Sequence, residues 1–321
     1  MNAEQTLFPF GAKMAAGGGF FWLFLLFRTA TGRFSLSIFE LLFLLAVWVV
    51  VPLTLSLVPA TTISIIARMV CNVILYCLFS AAILTTFSFR ISVGRIAGAA
   101  ATGPWLLVAA ALAVDGLDRL IRTRLKSFQE FCFAFGEGYM LVGALWLLAS
   151  RLGLQPVGFR EPIVLLTAVH FHYAGLMAAV LAGLAASTTR TPLFLRVALS
   201  CAVLGPGLLG LAFLVGPELK LAAVGLMVIG ECGIAVGTFR IGLAEAKGIG
   251  GRLLLIGSAC VLLGMVLAAI WAVGEYPLHA FVNLEQMARY HGVLNSVGFG
   301  LCSLVGWTLL RRRSRTAEEQ T

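Results

Sequence analysis

The sequence predicts an all-α transmembrane protein, a polytopic helical bundle of about nine spans within a range of eight to ten. Three observations predict it. Hydrophobic residues make up 60% of the 321 and charged residues only 12%, whereas a soluble domain carries about 25% charged residues. Mean hydropathy is +1.00. Apolar runs of about 18 residues or more recur along the chain, each long enough for a hydrocarbon core about 30 Å thick. A membrane domain over residues 35–310 leaves an N-terminal segment, 1–34, and a tail, 311–321, that is basic and then acidic. A sizeable soluble domain has no room.

In chain order the expected spans are roughly 35–57, 69–89, 96–115, 130–150, 163–187, 197–217, 220–241, 253–273 and 290–310. The run GGGFFWLFLLF (17–27) is short for a span and suits an interfacial or half-inserted helix. If it crosses, the count is ten. Pro104 and Pro206 each remove a helical hydrogen bond and are expected to kink the third and sixth spans. No internal repeat is visible.

Lys and Arg set the orientation. With nine spans, one side holds 9 of them: Lys13, Arg28, Arg33, Arg90, Arg95, Arg151, Arg160, Lys220 and Arg289. The other holds 14, including Arg119, Arg122, Arg124, Lys126 and four in the tail, and is the expected cytoplasmic side. The net charge of +9 reads as contact with lipid headgroups and topology control; no nucleic-acid partner is expected. Seven cysteines without a CxxC pair read as small core residues.

Ionisable residues at membrane depth are the functional candidates, because each costs roughly 2.5–3.5 kcal/mol to insert. LLTAVHFHYAG (165–175) carries His170, His172 and Tyr173, and RYHGVLNSVGFG (289–300) carries His291 and Asn295. These hold three of the four histidines; His279 lies in a loop. Glu40, Glu137 and Glu231 lie in other spans. At about 1.5 Å per residue, Glu40, His170 and Asn295 fall roughly 8–10 Å below one surface, with His291 shallower and Glu137 and Glu231 nearer the middle. The expectation is one polar pocket in the outer half of the membrane, open toward the first, fifth and ninth spans. His170, His291, Glu231 and Glu40 are its candidate catalytic acids and bases. Tyr173, Asn295, Glu137 and His172 are candidate substrate-binding residues.

Helical phase refines this. His170 and Tyr173 share a face, whereas His172 lies about 200° round from His170. A regular helix cannot aim both histidines at one metal ion, and zinc needs further ligands. No cofactor is expected, with a metal ion as the minor alternative. Bland readings exist for several positions. Glu40 near a span start also suits snorkelling to the headgroups, Glu231 an interhelical hydrogen bond, and His172 a packing role with a satisfied ring.

The stretch WLLASRLGLQPVGFREPIVLLTAVHFHYAG (146–175) resembles a signature block of the YndJ-like family of bacterial membrane proteins. RYHGVLNSVGFGLCSLVGW (289–307) is similar to the family's second signature, and ELLFLLAVWVVVPL (40–53) to its opening span. The resemblance implies a multi-pass protein of the bacterial inner membrane and carries over His170, His172, Tyr173, His291 and Asn295 as motif residues. It implies no settled reaction, although relatives are sometimes labelled transporters.

Three functions fit. The first is a membrane-embedded enzyme that moves protons on a lipid-soluble substrate, as in isomerisation, cyclisation or hydrolysis, because histidine titrates near the working pH. The second is a proton-coupled transporter, where the same groups form a relay. The third is a non-catalytic membrane factor. Expected partners are membrane lipids and a lipid-soluble molecule or transported solute; the oligomeric state is open. GxSxG, P-loop and HExxH motifs are absent from the sequence.

Overall fold

The computed structural model describes residues 6–60, 65–89, 94–124, 126–187, 191–275 and 283–319. His279 lies outside them. The described chain is helical between short connections. We number its helices α1 (Gly11–Ala30), α2 (Ile38–Leu55), α3 (Ile65–Ser88), α4 (Arg95–Ala101), α5 (Gly103–Thr123), α6 (Phe128–Leu152), α7 (Ile163–Ala186), α8 (Leu193–Val215), α9 (Pro217–Ala244), α10 (Ile249–Glu275) and α11, which starts at Leu284. α11 continues through Cys302–Glu319, so the tail begins as helix.

By length and composition, seven described helices can cross a membrane: α2, α6, α7, α8, α9, α10 and α11. The pair α4 and α5, bent by 42°, makes eight if it counts as one span. The expected nine is thus not reached by this measure. The second expected span falls in α3, of which only Tyr76–Ser88 stands out as a shorter apolar helix. At the bend, the helix stops at Thr102 and restarts with Pro104 in the first turn of α5, where a missing N–H breaks no helical bond. α8, by contrast, runs as one helix through Pro206.

The chain divides into two compact units, Met1–Met177 and Ala178–Thr321. In the first, α1 is a 20-residue helix, about 30 Å long, which lies antiparallel along α2. Its buried stripe is Gly11, Ala15, Gly18 and Leu25. A Cβ at Gly11 would meet the Pro52 carbonyl oxygen, and one at Gly18 the Trp48 carbonyl oxygen. Trp22 Nε1 donates to the Leu41 carbonyl at 2.7 Å. The glycines that weaken this helix locally, by about 1 kcal/mol each against Ala, are what let it approach α2 so closely.

The second unit packs the same way. Gly230 and Gly233 of α9 sit against Ala202 and Ala198 of α8, and Gly257 and Gly264 of α10 against Ser303 and Asn295 of α11. Four π-helical segments interrupt the spans: Ala46–Val50 in α2, Phe171–Met177 in α7, and Ala288–Gly292 and Leu294–Leu301 in α11. Three of them carry the motif residues Tyr173, His172, His291 and Asn295, and such bulges often mark functional positions.

Candidate functional site

Among the described residues, a cluster of ion-paired groups lies between α5 and α6, in the first unit. Asp115 and Arg119 are one turn apart on α5, so they share a face; Arg119 Nε donates to Asp115 Oδ2 at 2.8 Å. Arg119 Nη1 donates to Glu130 Oε2 at 2.8 Å. Arg119 Nη2 donates to the Pro59 carbonyl at 2.6 Å. Glu137 Oε1 lies 3.1 Å from Arg119 Nε. The side chains of Asp115, Arg119 and Glu137 are fully buried, and that of Glu130 is 22% exposed.

Close packing brings the two helices together here. A Cβ at Gly116 would meet the Ala134 carbonyl oxygen at 2.6 Å and Glu137 Oε2 at 3.3 Å. Counting along the helices, Asp115 and Glu137 sit about 12–14 Å from the helix ends that meet in the loop at 124–127.

The charges do not balance. Three carboxyl groups share one guanidinium. Arg119 Nε has a single hydrogen, and Asp115 takes it. Glu137 Oε1, Glu137 Oε2 and Asp115 Oδ1 are buried without a hydrogen bond from a donor. Asp115 and Glu137 both face Arg119 Nε, at 2.8 and 3.1 Å, and no described donor bonds the Glu137 carboxyl oxygens. The described residues contain no group of three or more His, Cys, Asp or Glu side chains able to hold a metal ion.

The motif histidines sit differently. His172 is fully buried. Its Nε2 accepts from Trp105 Nε1 at 3.0 Å, so its Nδ1 carries the hydrogen and donates to the Ala168 carbonyl at 2.7 Å. Both nitrogens are used. Tyr173 is buried and its hydroxyl donates to the Leu42 carbonyl at 2.9 Å, which ties the π segment of α7 to α2. His170 is exposed, with Nδ1 on the Leu166 carbonyl at 2.9 Å. Glu40 closes a capping box: its Oε2 accepts from the Ser37 backbone N–H at 2.7 Å and the Ser37 hydroxyl at 3.0 Å. The helix starts at Ile38, so Glu40 is shallower than expected. No described hydrogen bond or ion pair joins it to His170.

In the second unit, His291 Nδ1 lies 2.9 Å from the Gly264 carbonyl, and Asn295 Nδ2 lies 3.1 and 3.3 Å from the two ring nitrogens. Asn295 Nδ2 also donates to the His291 carbonyl at 2.9 Å. A Cβ at Gly264 would collide with the Asn295 amide, so this glycine makes room for the clamp. Glu231 is buried with Oε2 unbonded.

Among the sequence candidates, then, the structure joins His291 to Asn295. It places Glu137 in a cluster whose other members, Asp115, Arg119 and Glu130, the sequence analysis does not single out. A signal for them exists: DGLDR (115–119) puts an acid and a base one turn apart at the end of an apolar run.

The family model described as YndJ-like protein matches residues 41–299. The uncharacterized membrane protein YndJ of Bacillus subtilis (strain 168) is 27% identical over 207 residues, which cover 64% of this chain and 37% of that protein. The chain thus matches little more than a third of that relative's length. No solved structure matches. With the family model extending over α2 to α10 and into the second histidine motif of α11, the chain belongs to the YndJ-like family of membrane proteins.

Proposed function

We propose that this chain is a proton-coupled transporter of the bacterial inner membrane, with Asp115 and Glu137 as its proton-carrying pair. One observation carries the reading: two fully buried carboxyl groups and a third, mostly buried one converge on a single buried guanidinium. Ionisable groups placed this deep are expensive, and proton relays are a principal reason to keep them. The surplus acid is the property a proton carrier needs, since its charge can be cancelled by taking up a proton and restored by releasing one.

The reading of a membrane-embedded enzyme on a lipid-soluble substrate retains one favouring observation. His170 presents an exposed ring at a level where an apolar molecule could reach it from the side.

Solute pools inside and outside cells producing wild-type protein or Glu137→Gln, with and without a protonophore, separate the two. A transporter gives a solute gradient that depends on the wild-type protein and collapses in both the variant and the protonophore. Conversion of a lipid-extract component by purified protein in detergent, where no gradient exists, contradicts transport and supports the enzyme.

A further inference from the structure

We propose that Glu130 is the port through which protons reach the buried Asp115–Glu137 pair, with Arg119 as the gate between them. This inference rests on the reading of that pair as the proton carrier.

Exposure is graded along the cluster. Glu130 is its one solvent-reachable acid, with 22% of its side chain exposed, while Asp115, Arg119 and Glu137 have none. Glu130 also lies nearest the chain reversal. It is in the first turn of α6, where Ser127 caps the helix by accepting from the Glu130 backbone N–H. Glu137 lies seven residues further on, two turns deeper on the same face. The loop at this end holds Arg124 and Lys126, so by the basic-residue rule it faces the cytoplasm.

The guanidinium has a different nitrogen for each neighbour. Nη1 serves Glu130, Nε serves Asp115 and touches Glu137, and Nη2 is held by the Pro59 carbonyl. The backbone around Pro59 is itself fixed, because Leu7 N–H donates to the Val58 carbonyl and Thr6 bridges to Pro59. Arg119 therefore cannot follow a proton far. It stays as a fixed positive charge between the port and the pair.

The transfer balances simply. A proton from water adds to the Glu130 carboxylate, neutralises it and weakens its hold on Nη1. The proton then moves to the Asp115–Glu137 pair, and Glu130, again an anion, recaptures Nη1. Only O–H bonds form and break. With Glu130 neutral, the guanidinium faces two acids rather than three, and its charge acts on the Asp115–Glu137 pair alone until the proton moves inward. Arg119 in this scheme is a positioning residue, and Glu130 touches the transferred proton directly.

The test uses full-length protein in phosphatidylethanolamine–phosphatidylglycerol vesicles, with protons as the probe. After a rapid drop in external pH, time-resolved infrared absorption follows the protonated-carboxyl band that Glu137→Gln removes. Glu130→Gln should slow the rise of this band at least tenfold and leave its final height unchanged. Glu130→Asp keeps a carboxyl group with one methylene less reach and should recover most of the rate; it also serves if Glu130→Gln fails to fold. A wild-type rise in Glu130→Gln, with the band still absent in Glu137→Gln, overturns the port alone. A band that survives Glu137→Gln overturns the carrier reading, and the port with it.

Discussion

Trp105 Nε1 donates to His172 Nε2 at 3.0 Å, with the two rings stacked 5.8 Å apart. This bond decides how the HxH motif is to be understood. It fixes His172 as the neutral tautomer with hydrogen on Nδ1, and protonating Nε2 would break it. His172→Ala should leave a buried indole N–H and the Ala168 carbonyl without side-chain partners. An orphaned buried donor costs about 1–3 kcal/mol, before the cavity is counted. His170→Ala, at an exposed position, should change stability by no more than about 0.5 kcal/mol. Thermal unfolding of both variants in one detergent measures the difference. Equal melting temperatures contradict the structural role of His172.

Among the described ion pairs, Arg119 is the cation that contacts Asp115, Glu130 and Glu137. Arg119→Met should lower stability by about 3–5 kcal/mol, the range for removing one partner of a buried ion pair. The double variant Arg119→Met with Asp115→Asn should regain part of that loss, because one uncompensated acid is gone. Urea unfolding in mixed micelles reads both. A double variant less stable than the single one contradicts the charge argument.

Glu40 holds the first turn of α2 through Ser37. Glu40→Ala should cost about 0.5–2 kcal/mol, as loss of a helix cap does, and leave any transport or turnover unchanged. A variant of normal stability that is inactive would return Glu40 to the functional residues.

With nine spans, the basic residues divide 14 against 9 and predict a cytoplasmic C-terminus. A reporter fused after Thr321 should be active only if it folds there. A periplasmic signal overturns the orientation, and with it the assignment of the 124–127 loop to the cytoplasmic side.

Much of the fold was legible because membrane insertion is a property of composition and run length. α2 and α6 to α11 stand close to the apolar runs that predict them. α1 was legible in part: the run at 17–27 reads as an interfacial or half-inserted helix, but the close approach of Gly11 to Pro52 and Gly18 to Trp48 shows only in the packing. The capping box is readable as Ser37-x-x-Glu40, a local role beside the depth and snorkelling readings of Glu40. The cluster was hidden for another reason. Arg119 counts toward topology in a linear reading, and only the packing of α5 on α6 shows that it points at Glu137. Likewise the sequence gives His170 and His172 opposite directions but cannot say which one faces Trp105.

The central claim is that Asp115 and Glu137 share a proton inside the membrane, and infrared absorption of the full-length protein in lipid at neutral pH tests it most directly. The account predicts a protonated-carboxyl band that exchanges with heavy water, is lost in Glu137→Gln, and is lost or shifted in Asp115→Asn. A spectrum without such a band, or a band indifferent to both substitutions, contradicts it.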